Sequence, residues 1–475
     1  MIKSVKDVSF LAIGQIMGLI FGFITTVLLA RMLGPQDYGI YNFLMSIVSG
    51  TASFLSLGLA FSAFYFAAKK TEIINSILSI GTITSMVGII FICLISPFLE
   101  TTYSTPNLAF FLIIFSFEVL FLNIFNIFLN FFKGTGRFKE SSIMNILFNL
   151  LRLLGPFLVL IGFGLFGAIF GRILDWTVII SLCFVIGKKT YNVFPRKIKN
   201  LKKIMGYGFP LYMNQIFAFF TNQYLIIILA IYGMKLVGYY SASLKLATII
   251  SMLTLSISDV ALQRIIVAKD KKNVDKITKK ITKYSSYLGA FFLVNLVIFS
   301  KEIMILIFSK EYLSASTSLI ILSFAYFLGS SFRAYSTYFL GKSKTKIVMS
   351  VGFISSTILI LLSFYLIPSF GLDGAGLSFL FATFVSVMSY VIVSEIKGYK
   401  IAFGYKYLLI SFFAASMSGI IGKILSYIFP TFLSILIVPP LSIIMMVIVI
   451  YLLGGWEEED ERILFDLIYK VFRKN

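Results

Sequence analysis

Long apolar segments alternate with short polar ones along the whole chain. Each apolar segment holds about 20 residues or more, enough for a helix to cross ~30 Å of hydrocarbon. The pattern predicts about fourteen membrane-spanning helices joined by short loops. They cover roughly residues 8–33, 40–66, 73–98, 108–130, 141–161, 165–186, 205–232, 237–262, 284–309, 314–340, 347–367, 373–396, 404–428 and 432–453.

Composition supports the same class. Of the 475 residues, 59% are hydrophobic and only 13% are charged, more apolar surface than a soluble domain of this size can bury. The chain has no histidine, and Cys93 and Cys183 fall inside apolar segments. We therefore expect an all-α polytopic membrane protein without a disulfide framework, a metal site or a bound cofactor. The first apolar segment is too long for a cleaved signal peptide and predicts a retained helix.

Positive charge is concentrated in alternate loops. Most of the 41 lysine and arginine residues lie at the two ends of the chain and in every second loop, above all in residues 188–203 and 264–283. This bias predicts that both termini and these loops are cytoplasmic, in the cytoplasmic (inner) membrane of the cell. The net charge of +21 is thus a topology signal and a contact for anionic lipids, and not a nucleic-acid surface.

Glycine-containing motifs recur in the same order in the two halves of the chain. Gly39-x-Tyr41 returns 199 residues later as Gly238-x-Tyr240, and "GLFGA" at 164–168 returns 207 residues later as "GLDGA" at 371–375. An even number of spans in each half makes this a parallel repeat about an axis along the membrane normal. It predicts two pseudo-symmetric six-helix lobes followed by two additional helices.

The predicted boundaries follow the loops. They define an N-terminal lobe at 1–187, a basic cytoplasmic linker at 188–204, a C-terminal lobe at 205–398, two further helices at 399–454 and an amphipathic cytoplasmic tail at 455–475.

Three segments carry a family resemblance. They are "LLARMLGPQDYGIYNFLMSI" at 28–47, "GYGFPLYMNQI" at 206–216 and "VGYYSASLKLATII" at 237–250. These segments resemble the Wzx-like polysaccharide-biosynthesis flippases of the multidrug/oligosaccharidyl-lipid/polysaccharide exporter superfamily.

The resemblance implies two lobes in a V that open alternately to each side of the membrane. Its implied cargo is a polyprenyl- or dolichyl-linked oligosaccharide moved to the outer leaflet, with polysaccharide polymerase machinery as a candidate partner. In lipid II relatives two extra C-terminal helices form a groove for the lipid tail, a role open to spans 13 and 14. That branch also carries cations deep in span 1, where this chain has Gln15 and no cation before Arg31. The difference argues against lipid II as the cargo.

Ionisable residues inside the spans are candidates for function, because a charge at mid-bilayer costs at least ~2.5–3.5 kcal/mol. We expect cations to hold a pyrophosphate, amides to bind sugar hydroxyl groups and tyrosines to contact sugar rings. The candidate cavity residues are Lys245, Arg152, Asn145, Asn149, Tyr41, Tyr240, Asn214, Asn222, Arg172, Arg333 and Gln15. The candidates for coupling to protons or sodium are Glu118, Asp175 and Asp259, with the membrane potential as a further driving force.

A purely structural interpretation stays open at this point. Glu118 lies level with Arg152 on one predicted hairpin, and Arg172 lies three residues before Asp175, so each pair is a candidate ion pair. Two stripes of amide residues each lie on one helix face, namely Asn145 and Asn149 next to Arg152, and Asn123, Asn126 and Asn130 on the preceding span. Such stripes also serve as contacts between membrane helices. Glycines every four residues from Gly14 to Gly22 predict a close helix contact.

Two other function classes are weaker. A membrane glycosyltransferase or polymerase requires paired carboxylates, a metal motif or a nucleophile with its base, and no loop reaches the size of a domain. A cation-coupled multidrug (MATE-like) antiporter is the closer alternative, but it favours an acidic cavity, whereas four cations and three acids lie within these spans. We therefore expect a transporter rather than an enzyme.

Overall fold

The computed structural model describes residues 5–69, 73–191, 198, 200–268, 270–399, 401–428, 431–457 and 460. Every regular element in these residues is a helix, which confirms the all-α membrane class. Nine helical stretches of the described residues are long and apolar enough to cross a membrane. Three of the nine run for 39, 50 and 52 residues, more than one crossing requires. The exact count of fourteen spans stays a prediction.

We number the helices in chain order. They are α1 (Val5–Leu55), α2 (Leu59–Ala68), α3 (Ile74–Tyr103), α4 (Leu108–Phe115), α5 (Phe117–Gly134), α6 (Phe138–Leu151), α7 (Leu154–Leu158), α8 (Gly164–Tyr191), α9 (Leu201–Asn222), α10 (Tyr224–Ala230), α11 (Met234–Val267), α12 (Lys271–Ile298), α13 (Ser300–Ile307), α14 (Ser316–Ser331), α15 (Arg333–Gly341), α16 (Thr345–Ile396), α17 (Tyr405–Ile428) and α18 (Thr431–Leu452). A π-helical turn spans Val159–Phe163 and a 3₁₀ turn spans Lys310–Ala315.

Glycines with positive φ interrupt the longest helical stretches. Gly34 (φ 70°) breaks α1 just before Pro35, which places the turn where the sequence predicts it. Gly164 (φ 52°, ψ −141°) and Gly371 (φ 55°, ψ −122°) hold nearly the same backbone conformation 207 residues apart. This conformation strains any residue with a Cβ atom, so glycine is required at both positions. The repeat inferred from the sequence is thus present in the backbone.

The described residues belong to two compact units. The first unit comprises 1–242, 307–312 and 363–375, and the second comprises 243–306, 313–362 and 376–475. The core of the first unit gathers around Ile77, Phe128 and Ile179. The second unit has one cluster around Leu293 and Ala414 and another in which residues of α15 pack on Phe403.

The predicted lobe boundaries stay predictions. Part of the linker (192–197 and 199) and most of the amphipathic tail (458–459 and 461–475) lie outside the described residues.

The recurring Gly-x-Tyr motif makes a reciprocal contact inside the first unit. A Cβ atom on Gly39 would overlap the carbonyl group of Met234, and one on Gly238 would overlap the carbonyl group of Pro35. Met234 is the repeat equivalent of Pro35, and Gly238 is that of Gly39, in each case 199 residues later. Each glycine therefore packs on the residue four positions before the other glycine. Reciprocity of this kind is the signature of a two-fold relation. Close backbone approach therefore explains why the glycine recurs.

The helical hairpin that turns at Gly34 and Pro35 is also anchored to residues 307–312. Arg31 Nε donates a hydrogen bond of 2.7 Å to the Ile307 carbonyl oxygen. The hydroxyl group of Tyr312 donates to the Ala30 carbonyl oxygen at 2.9 Å. Each segment thus donates one side-chain hydrogen bond to a backbone carbonyl group of the other.

Candidate functional site

A buried ion cluster lies within the first unit between α5 and α8. Arg172 Nη2 is 2.8 Å from Glu118 Oε1, and Arg172 Nη1 is 3.3 Å from Asp175 Oδ2. All three residues are at most 5% exposed. The guanidinium carbon lies 5.1 Å from the Phe148 ring and 5.0 Å from the Trp176 ring. One arginine therefore engages both acids beneath aromatic side chains.

The contacts of this cluster show which of the two ion pairs expected from the sequence is present. The predicted pair of Arg172 and Asp175 is present, but Glu118 pairs with Arg172 rather than with Arg152. Rise per residue places Glu118 and Arg152 at one depth but does not fix the directions in which they point. The orientation of α8 brings Arg172 to Glu118 instead.

Arg152 lies at the end of α6 beside the glycine stripe of α1. A Cβ atom on Gly22 would lie 3.5 Å from Arg152 Nη1, and one on Gly18 would lie 2.9 Å from Asn149 Nδ2. Asn149 Nδ2 donates to the Asn145 carbonyl oxygen at 2.8 Å. The amide stripe and the glycine stripe, inferred separately from the sequence, thus face each other. Within the described residues, the buried Nε of Arg152 has no hydrogen-bond partner.

A second amide stripe lines a small cavity in the first unit. Asn123 and Asn126 border a space of about 130 Å³ together with Ser56 and Gln215. Asn123 Nδ2 donates to Ser85 Oγ at 3.0 Å, and Ser56 Oγ donates to Gln215 Oε1 at 2.8 Å. Ser56 and Gln215 are not among the residues that the sequence predicts for the site. The signal for Gln215 is its place in "GYGFPLYMNQI", a segment that carries the family resemblance.

For three further candidates the structure describes the helix but not the side chain. Gln15 of α1 and Asn214 and Asn222 of α9 fall outside the described side chains, so their roles stay predictions.

Arg333 borders a cleft within the second unit. The cleft has a volume of about 270 Å³ between the segment from α14 to α15 and the C-terminal part of α16. The described part of the chain offers no hydrogen-bond partner to its buried Nε. Asp259, which is exposed, acts on Arg333 electrostatically without an ion-pair contact. The cleft is lined by hydroxyl-bearing residues besides the arginine, namely Tyr326, Ser330, Ser336, Thr383, Ser386 and Tyr390.

The repeat relates this cleft to the first unit. Positions 207 residues apart give four equivalent pairs, namely Glu118 with Ala325, Asn126 with Arg333, Arg172 with Phe379 and Asp175 with Ala382. Ala325, Arg333 and Phe379 all border the cleft. The acids and the arginine that form the cluster in the first half are thus replaced by alanines and a phenylalanine in the second. This replacement leaves Arg333 without a carboxylate from the equivalent positions.

The remaining candidates are buried to different degrees. Tyr41 is 6% exposed and packs edge-on against Phe115 at 6.0 Å between ring centroids, and Tyr240 is 2% exposed. Contact of the two tyrosines with sugar rings stays a prediction. Lys245 is partly buried on α11 in the second unit. The hypothesis that Lys245 and Arg152 hold one anion also stays a prediction.

Solved structures share this fold. The lipid II flippase MurJ in an inward closed conformation aligns with a TM-score of 0.77 and 18% identity over 93% of this chain and 98% of that one. The MATE multidrug transporter DinF-BH aligns with a TM-score of 0.60 and 17% identity over 85% of this chain and 97% of that one. The chain therefore shares the fold of these two proteins.

Sequence comparison defines the family more narrowly. The model of the family described as "Polysaccharide biosynthesis protein" matches residues 4–263, more than half of the chain. The capsular polysaccharide biosynthesis protein CapF of Staphylococcus aureus is 24% identical over 400 residues, which cover 81% of this chain and 98% of that protein. The chain belongs to the polysaccharide biosynthesis protein family, which confirms the resemblance.

Proposed function

We propose that this protein flips a lipid-linked oligosaccharide from the cytoplasmic to the outer leaflet by alternating access, in the synthesis of a cell-surface polysaccharide. The observation that carries the proposal is the cleft of Arg333, a cation with a partnerless buried nitrogen among hydroxyl groups of the described residues. Family membership supports the same cargo. We propose transport rather than catalysis as its activity.

The chemistry of the cleft suits a phosphorylated sugar. A guanidinium group presents several N–H donors in a plane and binds phosphate oxygens in pairs. Serine, threonine and tyrosine hydroxyl groups both donate to and accept from sugar hydroxyl groups. Since a lone buried charge is costly in a membrane, an anionic ligand stabilises the arginine as well.

An apolar cavity in the second unit supports a site for the lipid tail. A space of about 640 Å³ lies between α12 and α18, walled by Phe291, Phe292 and Val447. Its walls are almost entirely apolar, as an isoprenoid chain requires. We propose that the lipid tail lies in this cavity, beside the last of the two C-terminal helices.

Fewer residues remain as candidates for coupling transport to protons or sodium than the sequence suggested. Arg172 engages Glu118 and Asp175, so we assign these two acids a structural role. Asp259 is the remaining candidate for coupling. We place the protein in the cytoplasmic membrane with both termini inside, beside the polysaccharide polymerase machinery.

Deletion of the gene tests the proposal. We expect mass spectrometry of lipid extracts to show an accumulated polyprenyl- or dolichyl-linked oligosaccharide, with loss of surface polysaccharide. Complementation with wild-type protein should clear the intermediate, and Arg333→Gln at equal expression should not. Unchanged surface glycan together with accumulation of toxic cations would favour the antiporter instead.

A further inference from the structure

The first unit contains a cavity whose polar lining consists of amide groups and one hydroxyl group. Asn123, Asn126 and Asn130 of α5 border a space of about 130 Å³ together with Gln215 of α9. We call this space the amide cavity. Among the described residues, its lining includes no charged side chain. Since a water molecule takes ~30 Å³ of liquid volume, the cavity holds roughly four waters or the edge of one sugar ring.

Part of the hydrogen-bonding capacity of these amides is used inside the protein. Ser56 Oγ donates to Gln215 Oε1 at 2.8 Å, and Asn130 Nδ2 donates to the Asn126 carbonyl oxygen at 2.9 Å. The side chain of Asn126 is exposed. Within the described residues, neither its amide group nor Gln215 Nε2 takes part in a hydrogen bond. An amide has donors and an acceptor side by side, so the cavity presents both to a ligand.

The rest of the lining is apolar. Phe61, which is half-buried, and Leu59 of α2 border the cavity with Ile127 of α5. A sugar ring is amphipathic, with hydroxyl groups along its edge and C–H groups on its faces. Two adjacent hydroxyl groups match an amide, because each of them both donates and accepts, and apolar walls suit the ring faces. A bare ion or a phosphate gains nothing from the apolar wall, so the lining favours a sugar.

The repeat gives this lining a counterpart of different chemistry in the second half. Ser330 lies 207 residues after Asn123, and Arg333 lies 207 residues after Asn126. Ser330 and Arg333 both border the cleft of the second unit. Equivalent helix positions therefore line a neutral space in one half and a cationic space in the other. A neutral ligand suits the first space, and a phosphate suits the second.

The amide cavity lies towards the predicted cytoplasmic side. Helix α5 ends at Gly134, and Lys133, Arg137 and Lys139 belong to the basic segment at that end. Asn130 lies about one helical turn before it. We propose that the amide cavity binds two adjacent hydroxyl groups of a neutral sugar of the cargo. The inference rests on the proposed function and adds a site that selects the glycan before translocation.

Binding of synthetic carrier analogues tests the site. The probes are geranylgeranyl pyrophosphate and three geranylgeranyl diphosphosugars, which carry glucose, galactose or N-acetylglucosamine. Thermophoresis of purified protein in nanodiscs measures each Kd. We expect at least one sugar-bearing probe to bind roughly tenfold more tightly than geranylgeranyl pyrophosphate, because it adds hydrogen bonds with the amides.

Substitutions of Asn126 test whether its amide causes this preference. Asn126→Leu has nearly the same size without the amide, and it should bring the Kd of the preferred probe to within about threefold of that for geranylgeranyl pyrophosphate. Asn126→Gln should retain part of the preference.

Two further variants serve as controls. Asn42→Leu removes an amide that donates to the Tyr38 carbonyl oxygen, and it should keep the full preference. Arg333→Gln should weaken binding of all four probes alike, because all four carry the pyrophosphate. All variants are first checked for wild-type Tm.

Either of two results would overturn the site. One is equal affinity of the wild-type protein for all four probes, and the other is an unchanged preference in Asn126→Leu. If Asn126→Leu in that second case abolishes a sodium-dependent rise in Tm, the cavity is a cation site instead. Both results leave the proposed function standing, provided that gene deletion still accumulates lipid-linked oligosaccharide. Absence of that accumulation would refute the function whatever the binding data show.

Discussion

The two halves of the repeat differ in what surrounds an arginine inside the membrane-spanning helices. In the first half, Arg172 is enclosed by Glu118 and Asp175. In the second half, the positions equivalent to those acids are alanines, and Arg333 borders an open cleft instead. The first arrangement gives the arginine two carboxylate partners, although Asp175 Oδ1 has no hydrogen-bond partner among the described residues. The second gives Arg333 no carboxylate from the equivalent positions.

The comparison separates structural charges from functional ones. A paired buried charge is weak evidence for function, because its partners already account for its presence. A buried cation without a partner is destabilising unless another molecule supplies the counter-charge. Arg333 and, in the first unit, Arg152 are partly buried, and the buried Nε atom of each has no hydrogen-bond partner among the described residues. We therefore propose these two as ligand residues and a structural role for Arg172.

The largest expected effect is on stability. Arg172→Gln leaves Glu118 and Asp175 buried without a cation, which should lower the free energy of unfolding by about 3–5 kcal/mol. Thermal unfolding of purified protein in detergent measures the loss. The apolar triple variant Glu118→Met, Arg172→Met, Asp175→Leu removes every charge and should recover most of the stability. A triple variant as unstable as Arg172→Gln would show that the cluster does more than neutralise charge.

A carboxylate introduced into the cleft of the second half should reproduce the ion pairing of the first half. Ser386→Asp introduces a carboxylate into the space that Arg333 borders, so the arginine gains an internal partner and loses its ligand. We expect flipping in proteoliposomes to slow roughly tenfold. Ser386→Asn has the same shape without the charge and should retain most of the activity. Equal slowing by both variants would indicate a steric effect and break the comparison.

Arg152 provides a third test. Arg152→Gln should reduce flipping by roughly tenfold or less, because it removes one charge-assisted contact. Since Glu118 binds Arg172, adding Glu118→Gln should not restore the activity. Rescue by the double variant in the same flipping assay would mean that Glu118 and Arg152 form a pair during transport.

The smallest effect concerns the C-terminal segment. Burial raises the pKa of Asp460, but hydrogen bonds from Lys283, Tyr284 and the Glu457 amide outweigh it and hold that pKa below its usual range. A lowered pKa in the folded protein contributes stability above the ordinary aspartate pKa of about 3.9. That contribution is lost as pH falls through the folded value. We expect the Tm difference between wild type and Asp460→Asn to shrink on acidification below about pH 4. A difference independent of pH would exclude the charge as its cause.

The repeat was predictable from the sequence because backbone geometry requires glycine. Gly164 and Gly371 share a left-handed conformation, and Gly39 and Gly238 share a backbone contact, so the same residue type returns at the same interval. Segment lengths predicted the membrane class for a similarly direct reason, the thickness of the hydrocarbon layer.

The partners of the charged residues were not predictable in the same way. Depth along a helix follows from rise per residue, but the pairing of Glu118 with Arg172 depends on how α5 and α8 are rotated about their axes. Only the packing of the two helices fixes those rotations. The opposition of Asn149 and Gly18 is a further case, in which each stripe was visible in the sequence but their contact was not.

The most direct test is the flipping rate of Arg333 variants in proteoliposomes that carry a fluorescent lipid-linked oligosaccharide. The account predicts that Arg333→Gln flips roughly 10–100-fold more slowly than wild type at an unchanged Tm, because one charge-assisted contact with the cargo is lost. Arg333→Lys should retain part of the rate. Wild-type flipping by Arg333→Gln would contradict the assignment of the second-half cleft as the site that holds the cargo.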